Sequence, residues 1–94
     1  MGRLYNIGII GAGTIAESHL GPASRMQNVR LAGVADIIAE KAAALAEKYS
    51  MKAYTCYAEM LEKEQLDIVI INLPHYLHKQ CALDCARKGC HILL

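Results

Sequence analysis

Leu4-Tyr5-Asn6-Ile7-Gly8-Ile9-Ile10-Gly11-Ala12-Gly13-Thr14-Ile15-Ala16 is the stretch on which the fold turns. Leu4 to Ile10 is a nearly unbroken apolar run. A strand with one wet face alternates apolar and polar residues; an unbroken run suits a parallel strand covered by helices on both faces. Gly11-Ala12-Gly13 ends the strand, and Ile15, Ala16, Leu20, Ala23 and Met26 then recur at helical spacing. Strand, glycine turn and helix make the first half of a βαβ unit, and Gly11 to Ala16 fits G-x-G-x-x-A.

Each position of that motif has a mechanical reason. Gly11 permits the tight turn, Gly13 lets the backbone approach a pyrophosphate, and Ala16 keeps the helix close to the strand. Thr14 and Ile15 open the helix, so their backbone N–H groups, with those of Gly11 and Gly13, are candidates to cradle the phosphates. An acidic residue, Asp36, closes the next apolar run, Val29 to Ala35, where a carboxylate can accept hydrogen bonds from adenosine ribose hydroxyls. A carboxylate also repels the 2′-phosphate of NADP, and Ile37 and Ile38 offer no Arg to neutralise it. The expected cofactor is therefore NAD rather than NADP.

The rest of the chain continues the alternation. Helices are expected over Ile38–Tyr49, over Tyr57–Glu64 and from about Leu77 to Gly89, and strands over Lys52–Thr55, Leu66–Leu73 and Cys90–Leu94. Gly21-Pro22 predicts a break in the first helix, with Pro22 near the start of a second segment reaching about Gln27. Alternating strands and helices imply right-handed crossovers and a doubly wound parallel α/β sheet, with strand order 3-2-1-4-5. Residues 1–94 read as a dinucleotide-binding Rossmann domain, cut off where the fifth strand ends in mid-flow at Leu94.

Composition narrows the partners. The chain has 94 residues, 54% of them hydrophobic and 20% charged, with a net charge of +1, so it lacks the clustered basic surface of a nucleic-acid binder. No apolar run reaches the roughly 20 residues needed to cross a bilayer. Four cysteines without a secretory leader suit free thiols in a reducing, cytoplasmic setting. His75, His78, Cys81, Cys85, Cys90 and His91 form a dense set of metal-type donors. Cys81 and Cys85, however, coincide with an apolar helical stripe and read as core residues, so no metal site is expected. His19 reads as a surface or packing residue.

With these motifs in place, the chain resembles the N-terminal domain of the glucose–fructose oxidoreductase, inositol dehydrogenase and rhizopine-catabolism family (Gfo/Idh/MocA). The likeness runs through IGIIGAGTIAESHL, LAGVADIIAEKAAALAEKYSMKAYTCYAEML and LDIVIINLPHYLHKQCALDCARKGCHILL. Pro74, His78, Gly89 and His91 stand where the family commonly has its Pro, its two His and a Gly, whereas Leu73 replaces a common Thr and Cys90 a common Lys. The resemblance implies that Leu73, Pro74 and His75 line the central and nicotinamide portion of the cofactor, with His78 close by.

It further implies an oxidoreductase that moves hydride between the nicotinamide and a sugar, polyol or related alcohol or carbonyl compound. The family's catalytic lysine lies in a Glu-Lys-Pro motif expected just beyond Leu94, ahead of a C-terminal substrate domain. No catalytic residue is therefore expected within the chain, and the 94 residues alone should bind a dinucleotide without turnover. A homo-oligomer is implied for the full-length protein. The alternative is a non-catalytic dinucleotide sensor, since a fold does not fix a function.

Overall fold

A computed structural model describes residues 4–93, without the side chains of Thr14, Ile15 and His75. The elements alternate throughout: β1 (Tyr5–Ile10), α1 (Thr14–Ala23), β2 (Val29–Ala35), α2 (Ala39–Tyr49), β3 (Lys52–Tyr54), α3 (Tyr57–Lys63), β4 (Ile68–Ile71), α4 (His75–Arg87) and β5 (His91–Leu93). The five strands form one parallel sheet in the order β3-β2-β1-β4-β5. Leu94, expected in the last strand, lies outside the described residues.

The apolar strands divide their side chains between two layers, which is why their sequences do not alternate with polar residues. Ile7 and Ile9 of β1, Val34 of β2 and Ile70 of β4 meet Ala16 and Leu20 of α1 and Leu45 and Ala46 of α2. Ile10, Ala32, Ala35, Val69 and Ile71 face the other way, onto Met60 and Leu61 of α3 and Cys81 and Cys85 of α4. On this second face Gly8 and Gly33 are paired in register. A Cβ at Gly8 would lie 2.6 Å from Leu66 Cδ1, and one at Gly33 would lie 3.1 Å from Met60 Sδ. The two glycines thus form a notch that seats the fully buried Met60.

Two expectations need correction. Pro22 does not split the first helix. It lies inside α1, one residue before the end, so only the closing turn lacks its ladder donor. That turn closes otherwise: Ser24 N–H donates to Leu20 O at 2.9 Å and Arg25 N–H to Pro22 O at 3.1 Å. Residues 24–28 then run as turns, no second helical segment forms, and Met26 is exposed. The strongest strand is also shorter than the apolar run Leu66–Leu73. Before it, the Asp67 carboxylate accepts the Asn6 N–H at 2.8 Å; after it, Leu73 O is held by His78.

Gly89 ends α4 as its sequence position suggests. It adopts φ 79, and the N–H groups of Gly89 and Cys90 reach back to Ala86 O (2.9 Å) and Cys85 O (3.2 Å), the paired bonds of a Schellman ending.

Candidate functional site

At the carboxyl end of β1, Gly11 adopts φ 98 and is wedged between two neighbours. Its N–H donates to Ala35 O at 2.8 Å, and a Cβ on it would lie 2.3 Å from Asn72 O. No L side chain fits there. Gly13 is different: its backbone is extended, and a Cβ built on it meets nothing within 4 Å. Gly13 also caps α1 without a side chain to offer its first amides. The open space over Gly13 and the uncapped helix start fit an incoming phosphate group.

Asp36 is brought to this turn from the end of β2. One carboxylate oxygen accepts the Ala12 N–H at 2.8 Å and the other accepts the Ile38 N–H at 2.8 Å. The Asp36 N–H donates to Tyr54 O at 3.0 Å, so the residue is also tied to β3. Ile37 is 90% exposed immediately beside it.

Between α1 and α2 an open cleft of about 500 Å³ is lined by Ala12, Gly13, Glu17, Lys41, Ala44 and Lys48 among others. Lys48 Nζ pairs with Glu17 at 3.1 Å, and the hydrogen bond to Glu17 raises the lysine's pKa. Lys41 was not singled out from the sequence. It stands in the first turn of α2, where side chains lean back toward the helix N-terminus and hence toward the strand ends. That direction was the available signal. A second cleft, about 430 Å³, opens at the opposite end of the sheet, between Asn6, Glu62, Gln65 and Lys88.

On the far side of β1, Asn72 N–H donates to Ile10 O at 2.8 Å, so the β4–α4 loop starts beside the glycine turn. Leu73 sends its side chain against the α3–α4 core rather than outward. Pro74 caps α4 and is exposed; His75 is the first helical residue, its side chain outside the description. His78 turns back so that its Nε2 meets Leu73 O. A carbonyl only accepts, so Nε2 is the donor in this contact. His78 therefore braces the loop, a role its sequence position did not reveal.

The cysteines pack as their helical stripe suggests. Cys81 and Cys85 are 1% and 0% exposed. The Cys85 thiol is pushed up by its hydrogen bond with Cys81 and by burial, and Cys90 is pushed up chiefly by burial. Among the described residues no three His, Cys, Asp or Glu side chains converge as metal ligands.

In sheets of this order the ligand crevice opens where the connections from neighbouring strands run in opposite directions, here between β1 and β4. The glycine turn and the β4–α4 loop stand at that point, with the Asp36 carboxylate bonded to the turn from the neighbouring end of β2, and the class they define is that of dinucleotide-binding domains. Residues 5–94 match the oxidoreductase family with an NAD-binding Rossmann fold, Gfo/Idh/MocA, and the chain belongs to it.

It is 33% identical over 90 residues to the glucose-6-phosphate 3-dehydrogenase of Bacillus subtilis, covering 96% of this chain and 25% of that protein. It is 33% identical over 89 residues to the rhizopine catabolism protein MocA of Rhizobium meliloti, covering 95% and 28%. Among solved structures, the WlbA dehydrogenase of Chromobacterium violaceum, in complex with NADH and UDP-GlcNAcA, superposes with a TM-score of 0.91 at 27% identity, over 98% of this chain and 27% of that one. The chain thus spans about a quarter of the length of the proteins it matches. No helix among the described residues is long and apolar enough to cross a membrane.

Proposed function

We propose that this chain is the cofactor-holding part of an NAD-dependent dehydrogenase acting on a CH–OH group of a sugar, polyol or sugar derivative. The observation that carries the reading is the uncapped, unobstructed backbone at Gly13 with the Asp36 carboxylate one hydrogen bond away at Ala12. The names of two family members, glucose-6-phosphate 3-dehydrogenase and inositol 2-dehydrogenase, support the substrate class.

Bound NAD supplies the hydride acceptor, or as NADH the donor, for interconverting a carbinol and a carbonyl carbon. This chain's residues bind and orient. The amides of Gly13, Thr14 and Ile15 hold the pyrophosphate, with Gly11 setting the turn beneath them. Asp36 holds the adenosine ribose and, by its charge, disfavours a 2′-phosphate. Leu73, Pro74 and His75 flank the far half of the cofactor, the first through its backbone, while His78 keeps that loop in place. Groups that transfer the substrate's proton belong to the further segment of a protein of the relatives' length. Such a protein would be a cytoplasmic homo-oligomer; the four free thiols support the compartment.

Calorimetric titration with NAD and NADP tests the binding half of the proposal. NAD is expected to bind at least tenfold more tightly, and Asp36→Ala to narrow that ratio; equal affinities in the unaltered protein would remove Asp36 from the argument. Formation of NADH from a panel of sugars and polyols by the full-length protein tests the reaction. Tight NAD binding with no turnover across the panel would favour a dinucleotide sensor instead.

A further inference from the structure

Beyond its part at the ribose, we infer that Asp36 is a positioning residue for the phosphate loop, its carboxylate holding Gly11–Gly13 in shape through the Ala12 amide. The inference rests on the dinucleotide reading above and adds a second, separable role for the same side chain.

The bonding around the loop points this way. Gly11 N–H donates to Ala35 O at 2.8 Å, and the very next amide, Ala12 N–H, donates to the Asp36 side chain at 2.8 Å. The loop is therefore stitched to the end of β2 by consecutive bonds, the first main-chain and the second supplied by a side chain. Ala12 is only 8% exposed, so water is poorly placed to replace the carboxylate. A buried amide left without an acceptor is costly, and a bond to an ionised acceptor is stronger than one between neutral groups. Asp36 is anchored in turn, because its own N–H is bonded to Tyr54 O and its second oxygen receives the Ile38 N–H. The loop thus inherits its position from three elements: β2, β3 and the start of α2.

A carboxylate has about four lone-pair sites, so two backbone donors leave room for ribose hydroxyls. The two roles then make different demands on a ligand. Contact with the ribose needs the 2′- and 3′-hydroxyls. Support of the loop is felt by any ligand whose phosphates lie on the Gly13 backbone, hydroxyls or not.

The experiment compares ADP with 2′,3′-dideoxy-ADP in the unaltered protein, Asp36→Ala and Asp36→Asn, by calorimetry. Asp36→Ala is expected to weaken dideoxy-ADP about tenfold, the scale of one lost charge-assisted bond. Asp36→Asn, whose side-chain oxygen can still accept from Ala12, is expected to restore dideoxy-ADP to within about threefold. If Asp36→Ala weakens ADP but leaves dideoxy-ADP unchanged, Asp36 serves only the hydroxyls and the inference is overturned. Failure of the unaltered protein to bind either nucleotide would instead strike the dinucleotide reading itself, and this inference with it. Should Asp36→Ala not fold, hydrogen exchange at Ala12 in the unaltered protein decides the matter. Protection is expected, and exchange at the rate of an open loop amide would overturn it.

Discussion

Gly11 and Gly13 are separated by one residue, yet their surroundings hold them to different requirements. At Gly11 a methyl group would have to share space with Asn72 O, 2.3 Å from its Cβ, in a backbone conformation of φ 98. Gly11→Ala should therefore cost folding stability, about 2 kcal/mol or more from the combined strain and clash, read as a fall in the denaturant midpoint. At Gly13 a side chain enters open space. Gly13→Val should keep the thermal midpoint within a few degrees of the unaltered chain and abolish NAD binding. Unchanged NAD affinity in that variant would remove the phosphate site from the glycine turn. The motif was legible because glycine spacing is written in the chain itself. Asp36 was legible as an acid closing an apolar strand, but its bond to Ala12 joins residues 24 positions apart and emerges only once the parallel register is known.

At the scale of elements, sequence periodicity located each described strand and helix, erred at their ends, and added a segment after Pro22 that does not form. Pro22 predicted a break because a proline mid-helix costs about 3 kcal/mol; placed one residue before the end of α1, it interrupts almost nothing. The end of α2 offers a gain. Ser50 follows that helix at φ 57, the left-handed region in which glycine carries no Cβ penalty. Ser50→Gly should raise stability by about 0.5–1 kcal/mol, measured by chemical denaturation; a loss would show that the serine hydroxyl contributes more than the strain costs. Between α3 and α4, Tyr57 OH donates to Asp84 at 2.6 Å. The tyrosine hydroxyl lowers the Asp84 pKa, and the same bond raises that of Tyr57. A lowered carboxyl contributes stability that is complete above its unfolded value near 3.9 and fades as pH falls through the folded one. A raised phenol contributes fully below its unfolded value near 10 and fades only as pH climbs through its higher folded value. Tyr57→Phe should thus melt a few degrees lower at neutral pH, with the gap narrowing below about pH 4 and again above about pH 10. A gap constant across that range would mean that packing, not this hydrogen bond, joins the two helices.

For the whole molecule, the position of β1 matters most. It lies at the centre of the sheet, bonded to β2 on one side and β4 on the other, so the glycine turn at its end is fixed by Ala35 and Asn72 from opposite flanks. The strand order was legible because right-handed crossovers leave few alternatives. The Gly8–Gly33 notch was not, because a pair of small residues acquires meaning only when register sets them side by side beneath Met60. A site built at the meeting point of the sheet's two halves should feed its binding energy into the folding equilibrium of all of them. A ligand at a hundredfold excess over its Kd stabilises the native state by about 2.7 kcal/mol. In a domain of this size each kcal/mol moves the thermal midpoint about 4–8 °C. NAD at that excess should therefore raise the midpoint of the unaltered protein by about 10–20 °C in a single cooperative transition, and leave that of Gly13→Val where it was. An equal rise in both would mean that NAD binds away from the glycine turn. A split transition in the unaltered protein would mean that the α1–α2 and α3–α4 layers do not share the stabilisation that the central strand is placed to transmit.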